Sequence, residues 1–249
     1  MSNNTSIEWT DATWNPVTGC SKVSAGCKNC YAEAIADRFW AGSRKFTDVM
    51  CHEDRLMEPL KWKKPRRVFV NSMSDLFHED VPDEFIDKIF AVMALADKHK
   101  FQILTKRPSR MQSYVVGLVS RPPSNVWLGV SVEDQATADE RIPLLIETPA
   151  AVRFVSYEPA LGPVDFSKVP GQSRVVARIP DWIIVGGESG ANARPCKVEW
   201  IRKAVTQCAA AGVACFVKQD SGIRPGMQGR IPNELWIKEF PALKEESKC

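Results

Sequence analysis

After residue 65 the chain alternates short apolar, β-branched runs with longer amphipathic or mixed stretches, and this rhythm constrains its fold more than any other feature. Strand-length runs separated by helix-length segments are what repeated βα units around a parallel sheet require. The strands read at 67–71 (RVFVN), 101–105 (FQILT), 126–130 (VWLGV), 152–156 (VRFVS), 182–186 (WIIVG) and 214–218 (ACFVK). Between them, 83–98 sets Phe85, Ile89, Val92, Met93 and Ala96 at helical spacing behind Pro82–Asp83. Likewise 198–211 sets Ile201, Val205 and Cys208 on one face before Gly212, a natural helix stop. The Pro- and Gly-rich stretch 157–181 reads as a long loop. The expected class is α/β, a partial (β/α) TIM-like barrel of about six to seven parallel strands. With 249 residues, 44% of them hydrophobic, one domain is expected: a cysteine loop and first helix over 1–65, βα repeats over 66–220, and a C-terminal extension over 221–249.

Polar residues follow nearly every strand. They are Asn71, Ser72, Ser74 and Asp75; Thr105, Lys106 and Arg107; Ser131 and Glu133; Ser156, Tyr157 and Glu158; Gly187, Glu188 and Ser189; and Lys218, Gln219 and Asp220. Solvated loops explain any one such group. In a parallel sheet, however, the carboxyl ends of the strands share one face, and active sites are built there. Glu, Lys, Tyr and Asp recurring in succession point to a site.

The strongest chemical signal is WNPVTGCSKVSAGCKNCYAEAIADRF, with Cys20, Cys27 and Cys30 spaced C-x6-C-x2-C ahead of a helix-like run. Asn15–Pro16, Gly19 and Gly26 keep the backbone irregular, so a loop can fold its thiols around a metal near the N-terminus of the chain. Thiolates suit zinc or iron–sulfur, and structural zinc sites are closed by four ligands. Three thiols fit a four-iron cluster that keeps one iron without a protein ligand. Cys51–His52 would instead complete a zinc site, making a non-enzymatic nucleic-acid-binding module the competing reading. Cys208 and Cys215 read as small core hydrophobes, and Cys51 and Cys196 as loop thiols.

With these cysteines ahead of βα units whose strand ends are polar, the chain resembles the radical S-adenosylmethionine superfamily. More closely, it is similar to a phage-associated group sharing W-N-P-x-T-G-C…C-x-x-C-Y-A-E, with further likeness at SMSDLFHE (72–79), LTKRP (104–108), GVSVE (129–133), YEP (157–159), VGGESG (185–190) and FVKQ (216–219). The resemblance implies a [4Fe–4S] cluster on Cys20, Cys27 and Cys30 whose open iron binds S-adenosylmethionine, fed by an external electron donor and yielding a 5′-deoxyadenosyl radical. By position, Ser72, Ser74 and Asp75 would face the methionine end of that cofactor. Ser131 and Glu133 would lie near its ribose or carboxylate, and Glu188 near its adenosyl part. The spacing is wider than the superfamily's usual C-x3-C-x2-C, and Asn29 stands where an aromatic residue commonly precedes the third cysteine.

Lys106, Arg107 and Lys218 fall on the same expected face, with Trp14 and Tyr157 as stacking partners. They suit a phosphate-bearing substrate such as a nucleotide or a DNA lesion; repair by a lyase, or another modification, is what the resemblance to the superfamily implies. Tyr157 and Lys218 are candidate proton or hydrogen donors. A second basic group, Lys61, Lys63, Lys64, Arg66 and Arg67, precedes a strand and reads as a solubilising run away from the chemistry. The net charge of +3 excludes a histone-like coat protein. The N-terminus has no basic and apolar leader, and no apolar run approaches the ~20 residues of a membrane span, so a cytoplasmic protein without a membrane partner is expected.

Overall fold

The computed structural model describes residues 5–40, 42–119, 121–169 and 180–242. Pro170 and Gly171 of the expected long loop, and Cys249, lie outside them. The described elements run β1 (Ala12–Trp14), β2 (Val17–Thr18), α1 (Tyr31–Trp40), β3 (Met50–Cys51), β4 (Arg67–Val70), α2 (Asp83–Leu95), β5 (Lys100–Thr105), α3 (Pro108–Gly117), β6 (Val126–Val132), α4 (Gln135–Glu147), β7 (Val152–Tyr157), β8 (Trp182–Gly186), α5 (Val198–Ala211) and β9 (Ala214–Gln219). A seven-stranded sheet takes the order β1-β4-β5-β6-β7-β8-β9, every neighbour parallel, and curls into a half-barrel. This is the partial α/β barrel that the βα rhythm implies. β2 and β3 form a small antiparallel pair beside it.

Local chemistry explains the boundaries. Pro108 opens α3, where a missing N–H costs nothing. Asp134 caps α4 by accepting from the Thr137 N–H, and Thr137 answers the Asp134 N–H. Gly212 ends α5 at φ +65°, a conformation glycine adopts without strain. β1 escapes sequence reading because it is three residues long. What holds it is the pairing of Asp11 with Arg67, whose backbone N–H and guanidinium both donate to the Asp11 carboxylate.

Strand alternation sorts the sheet's side chains into two apolar layers. Val68, Phe101, Ile103, Leu128, Val130, Val155, Ile183, Cys215 and Val217 pack outward with α2, α4 and α5. Phe69, Trp127, Phe154, Trp182, Ile184 and Phe216 pack inward with Trp9. Trp182 lies at the centre, with ring centroids 5.8 Å from Phe154, 6.1 Å from Trp127 and 6.3 Å from Trp9. These aromatics fill the amino-terminal half of the concave face. Above them the inward positions turn small or polar: Gly129, Ser131, Ser156 and Gly186, then Lys106, Glu133, Glu158 and Lys218. The concave face is therefore a plugged floor with a polar mouth at the carboxyl ends of the strands.

Candidate active site at the mouth of the half-barrel

The cysteine loop crosses this mouth and is tied to the ends of several strands. After β5, Arg107 places Nη1 3.7 Å from the sulfur of Cys20, while Nη2 donates to the carbonyl and hydroxyl oxygens of Ser21. After β6, Glu133 accepts from the Ser24 hydroxyl at 2.8 Å, and a Cβ added at Gly26 would lie 2.6 Å from the Glu133 Cγ. Only glycine lets the loop come this close. After β8, Glu188 accepts from the Asn29 amide at 2.9 Å and from Arg194 at 2.6 Å, and Arg194 donates onward to the Ala25 carbonyl. At the far end of the loop, the Tyr31 hydroxyl donates to the Ser72 carbonyl at 2.7 Å.

The cysteines themselves are half-buried and unpaired. Cys20 and Cys30 both pack on a small apolar seat of Ala32, Ala36, Phe46 and Met73. Burial, and behind it the Asp75 carboxylate, pushes the Cys20 thiol up to about 11, against the opposing pull of Arg107. Among the described residues, no three His, Cys, Asp or Glu side chains stand grouped as a metal-ligand set. The donor chemistry nonetheless fits a soft, polynuclear group: three thiols on one loop, an apolar seat and a guanidinium beside the first thiol. Cys51 lies in β3 opposite Val17, and the His52 Nε2 is hydrogen-bonded to the Thr18 hydroxyl.

The structure brings some expected site residues into the mouth and employs others elsewhere. Lys106 pairs with Glu133 at 3.6 Å and Lys218 with Glu158 at 3.2 Å, all on the concave side. Gly186, on the strand between Glu158 and Lys218, leaves the gap through which that second pair meets. Glu133 is buried, and its Oε2 is sheltered from solvent with no hydrogen-bond partner, an orphaned acceptor beside the cysteine loop. Ser131 shares its face. Asp75 is committed differently: it accepts from the Thr105 hydroxyl at 2.7 Å, from the N–H groups of Phe77 and Lys106, and from Arg107, joining the end of β4 to that of β5. Ser72 and Ser74 donate to Asn15 Oδ1 and the Val17 carbonyl, fixing the path into the cysteine loop. Tyr157 faces the outer layer, fully buried, and its hydroxyl donates to the Gly162 carbonyl. Trp14 is likewise buried in the outer layer, its indole donating to the Arg55 carbonyl.

Residues 4–234 match the family described as "protein of unknown function (DUF5131)". The chain belongs to the DUF5131 family. No curated protein and no solved structure matches it. What can be said of this DUF5131 chain therefore rests on its own residues. Several that organise the mouth carry no sequence signal. Arg194 lies in an irregular loop, Asn29 stands out only as the residue in place of an aromatic one, and Arg141 sits mid-helix in α4, yet its buried guanidinium reaches the Ser131 carbonyl at 2.8 Å and Glu133 at 3.4 Å.

Proposed function

We propose that this DUF5131 protein is a radical S-adenosylmethionine enzyme, with Cys20, Cys27 and Cys30 as the ligands of a [4Fe–4S] cluster. The observation that carries the reading is the seating of a three-cysteine loop across the carboxyl-end mouth of a parallel half-barrel, anchored after β5, β6 and β8. Active sites of parallel barrels lie on that face, and a loop with one thiol too few for a closed site leaves a position open for chemistry. When bound and reduced, the cluster would supply the electron that cleaves S-adenosylmethionine to a hydrogen-abstracting radical.

The chain's own residues would bind, orient and exclude water. Glu133, held by Arg141 and Ser24, offers its free oxygen to a cofactor donor, and Ser131 lies on the same face. The Glu188–Arg194 pair fixes the backbone of the loop, and the aromatic floor closes the chamber from below. Lys106 and Lys218 each already have a carboxylate partner, and Arg107 has two in Asp75 and Glu79. A bare phosphate would have to displace one of these. The two inward ion pairs present donors and acceptors side by side, which fits the edge of a nucleobase, so a nucleotide or nucleic-acid base is the substrate class proposed.

Anaerobic purification and reconstitution test the proposal. Support is a brown protein with about four iron and four sulfide per chain, bleached by dithionite, that forms 5′-deoxyadenosine from S-adenosylmethionine after reduction. A colourless protein with one tightly held zinc would overturn it in favour of a zinc module. A cluster that yields no 5′-deoxyadenosine would leave an iron–sulfur protein of another class.

A further inference from the structure

A cluster of unpaired positive charge lies at the other end of the barrel from the mouth. Among the described residues, Lys61, Lys63, Lys64, Arg66, Lys98 and Lys100 take part in no ion pair. Two segments far apart in sequence bring them together at the amino ends of β4 and β5. The Lys100 N–H donates to the Arg66 carbonyl at 2.8 Å, His99 bonds the Pro59 carbonyl at 3.1 Å, and the Trp62 and His99 rings lie 5.6 Å apart. Nearby acids form no ion pair with them, although Arg66 helps to lower the Asp11 carboxyl from a distance. Asp11 is taken by Arg67, and Glu58 and Asp97 pair with none of them. Arg66 lies over the half-buried Trp62 ring at 5.3 Å, and its Nη1 is sheltered from solvent without an acceptor. The crowding reaches His99, whose pKa is lowered by burial and further by Lys98 and Arg66, against its bond to Pro59.

Unpaired cations are costly to gather unless an anion covers them, and like charges on adjacent strands repel. We infer that this face is a docking surface for the phosphate backbone of a nucleic acid, with Trp62 and Arg66 as its stacking centre. Cations interleaved with an aromatic ring track a strand through phosphates and base faces without reading sequence. An anionic lipid surface would share the charge, and Leu95 and Val116 are 71% and 62% exposed at the ends of α2 and α3. The ring placed among the cations is aromatic rather than aliphatic, however, which favours bases. The surface stands apart from the cysteine loop and does not rest on the cluster reading.

Fluorescence anisotropy with the full chain and a labelled single-stranded oligonucleotide of about 20 nucleotides, across a salt series, tests this. Binding should weaken steeply with salt. Lys61→Gln, Lys63→Gln, Lys64→Gln and Lys98→Gln combined should weaken it about tenfold or more and flatten the dependence of log K on log salt by roughly 2–3. All four side chains are exposed, so an unchanged melting temperature excludes misfolding as the cause. The double variant Lys88→Gln, Lys203→Gln, which removes two exposed lysines on the outer helices α2 and α5, should bind the oligonucleotide as the parent does. The inference is overturned by absence of oligonucleotide binding, by parent-like binding of the quadruple variant, by an equal loss in the outer-helix variant, or by binding confined to phosphatidylserine vesicles.

Discussion

Arg107 Nη1 lies 3.7 Å from the sulfur of Cys20, and the same guanidinium holds Asp75, Glu79 and Ser21. With Cys20 as the proposed cluster ligand, a fixed cation beside it would favour the more negative, reduced state and so raise the reduction potential. Arg107→Gln should lower the midpoint of the reconstituted protein by on the order of 50 mV, read by a redox titration followed by electron paramagnetic resonance. An unchanged midpoint would place the cluster away from Cys20.

Gly26 meets Glu133 with no room for a side chain. Gly26→Ala should push the cysteine loop off the mouth, costing about 1–3 kcal/mol locally and most of the iron bound on reconstitution, while the circular dichroism of the half-barrel stays intact. Gly117→Ala is the control, since nothing lies within 4 Å of its added methyl. Equal iron in both variants would mean that the loop's seat on Glu133 is immaterial.

The clamp between Glu188 and Arg194 sets an acid limit. Burial raises the Glu188 carboxyl, but the side-chain and backbone N–H groups of Arg194 and the Asn29 amide outweigh it, so it titrates below the ordinary carboxylate range. A folded-state value below the unfolded one means stabilisation present above the unfolded pKa and lost as pH falls through the folded one. Iron retention should be level near neutrality and fall in acid, below about pH 4.5. Glu188→Gln should start lower at neutral pH and show a shallower acid limb. Parallel curves for the two proteins would exclude the clamp as the cause.

The fold was legible because buried parallel strands and amphipathic helices write different periods into the chain, and all six expected strands overlap observed ones. β1 was not legible: three residues carry no period, and the partner that defines them is Arg67, far along the chain. Strand parity was available but needs the helix-covered face to be known, which is why Tyr157 and Lys218, both at strand ends, read alike and lie on opposite sides of the sheet. The polar strand ends do converge. What sequence could not supply is how they pair: Lys106 with Glu133, Lys218 with Glu158, and Asp75 with its own neighbours.

Trp182 tests the floor independently of any metal. It is fully buried against Trp9, Trp127, Phe154, Phe216 and Phe240. Trp182→Ala should cost about 3–5 kcal/mol, a large share of the stability of an ordinary domain, and lower the urea midpoint accordingly. A loss under 1 kcal/mol, on the order of a surface substitution, would show that the concave layer is not packed as described.

Tyr157 and Lys218 separate structure from chemistry. The Tyr157 hydroxyl serves the Gly162 carbonyl from the outer layer, so Tyr157→Phe should lose roughly 1 kcal/mol of stability and leave iron content and 5′-deoxyadenosine formation unchanged. Lys218 faces the mouth, and only Glu158 pairs with its side chain among the described residues. Lys218→Met should keep the iron and the global fold yet alter how fast 5′-deoxyadenosine accumulates, because it strips the countercharge from a carboxylate on the chamber wall. If instead Tyr157→Phe abolishes turnover while Lys218→Met is silent, the concave face is not where the reaction occurs. The reacting groups would then have to be sought between the sheet and its helices.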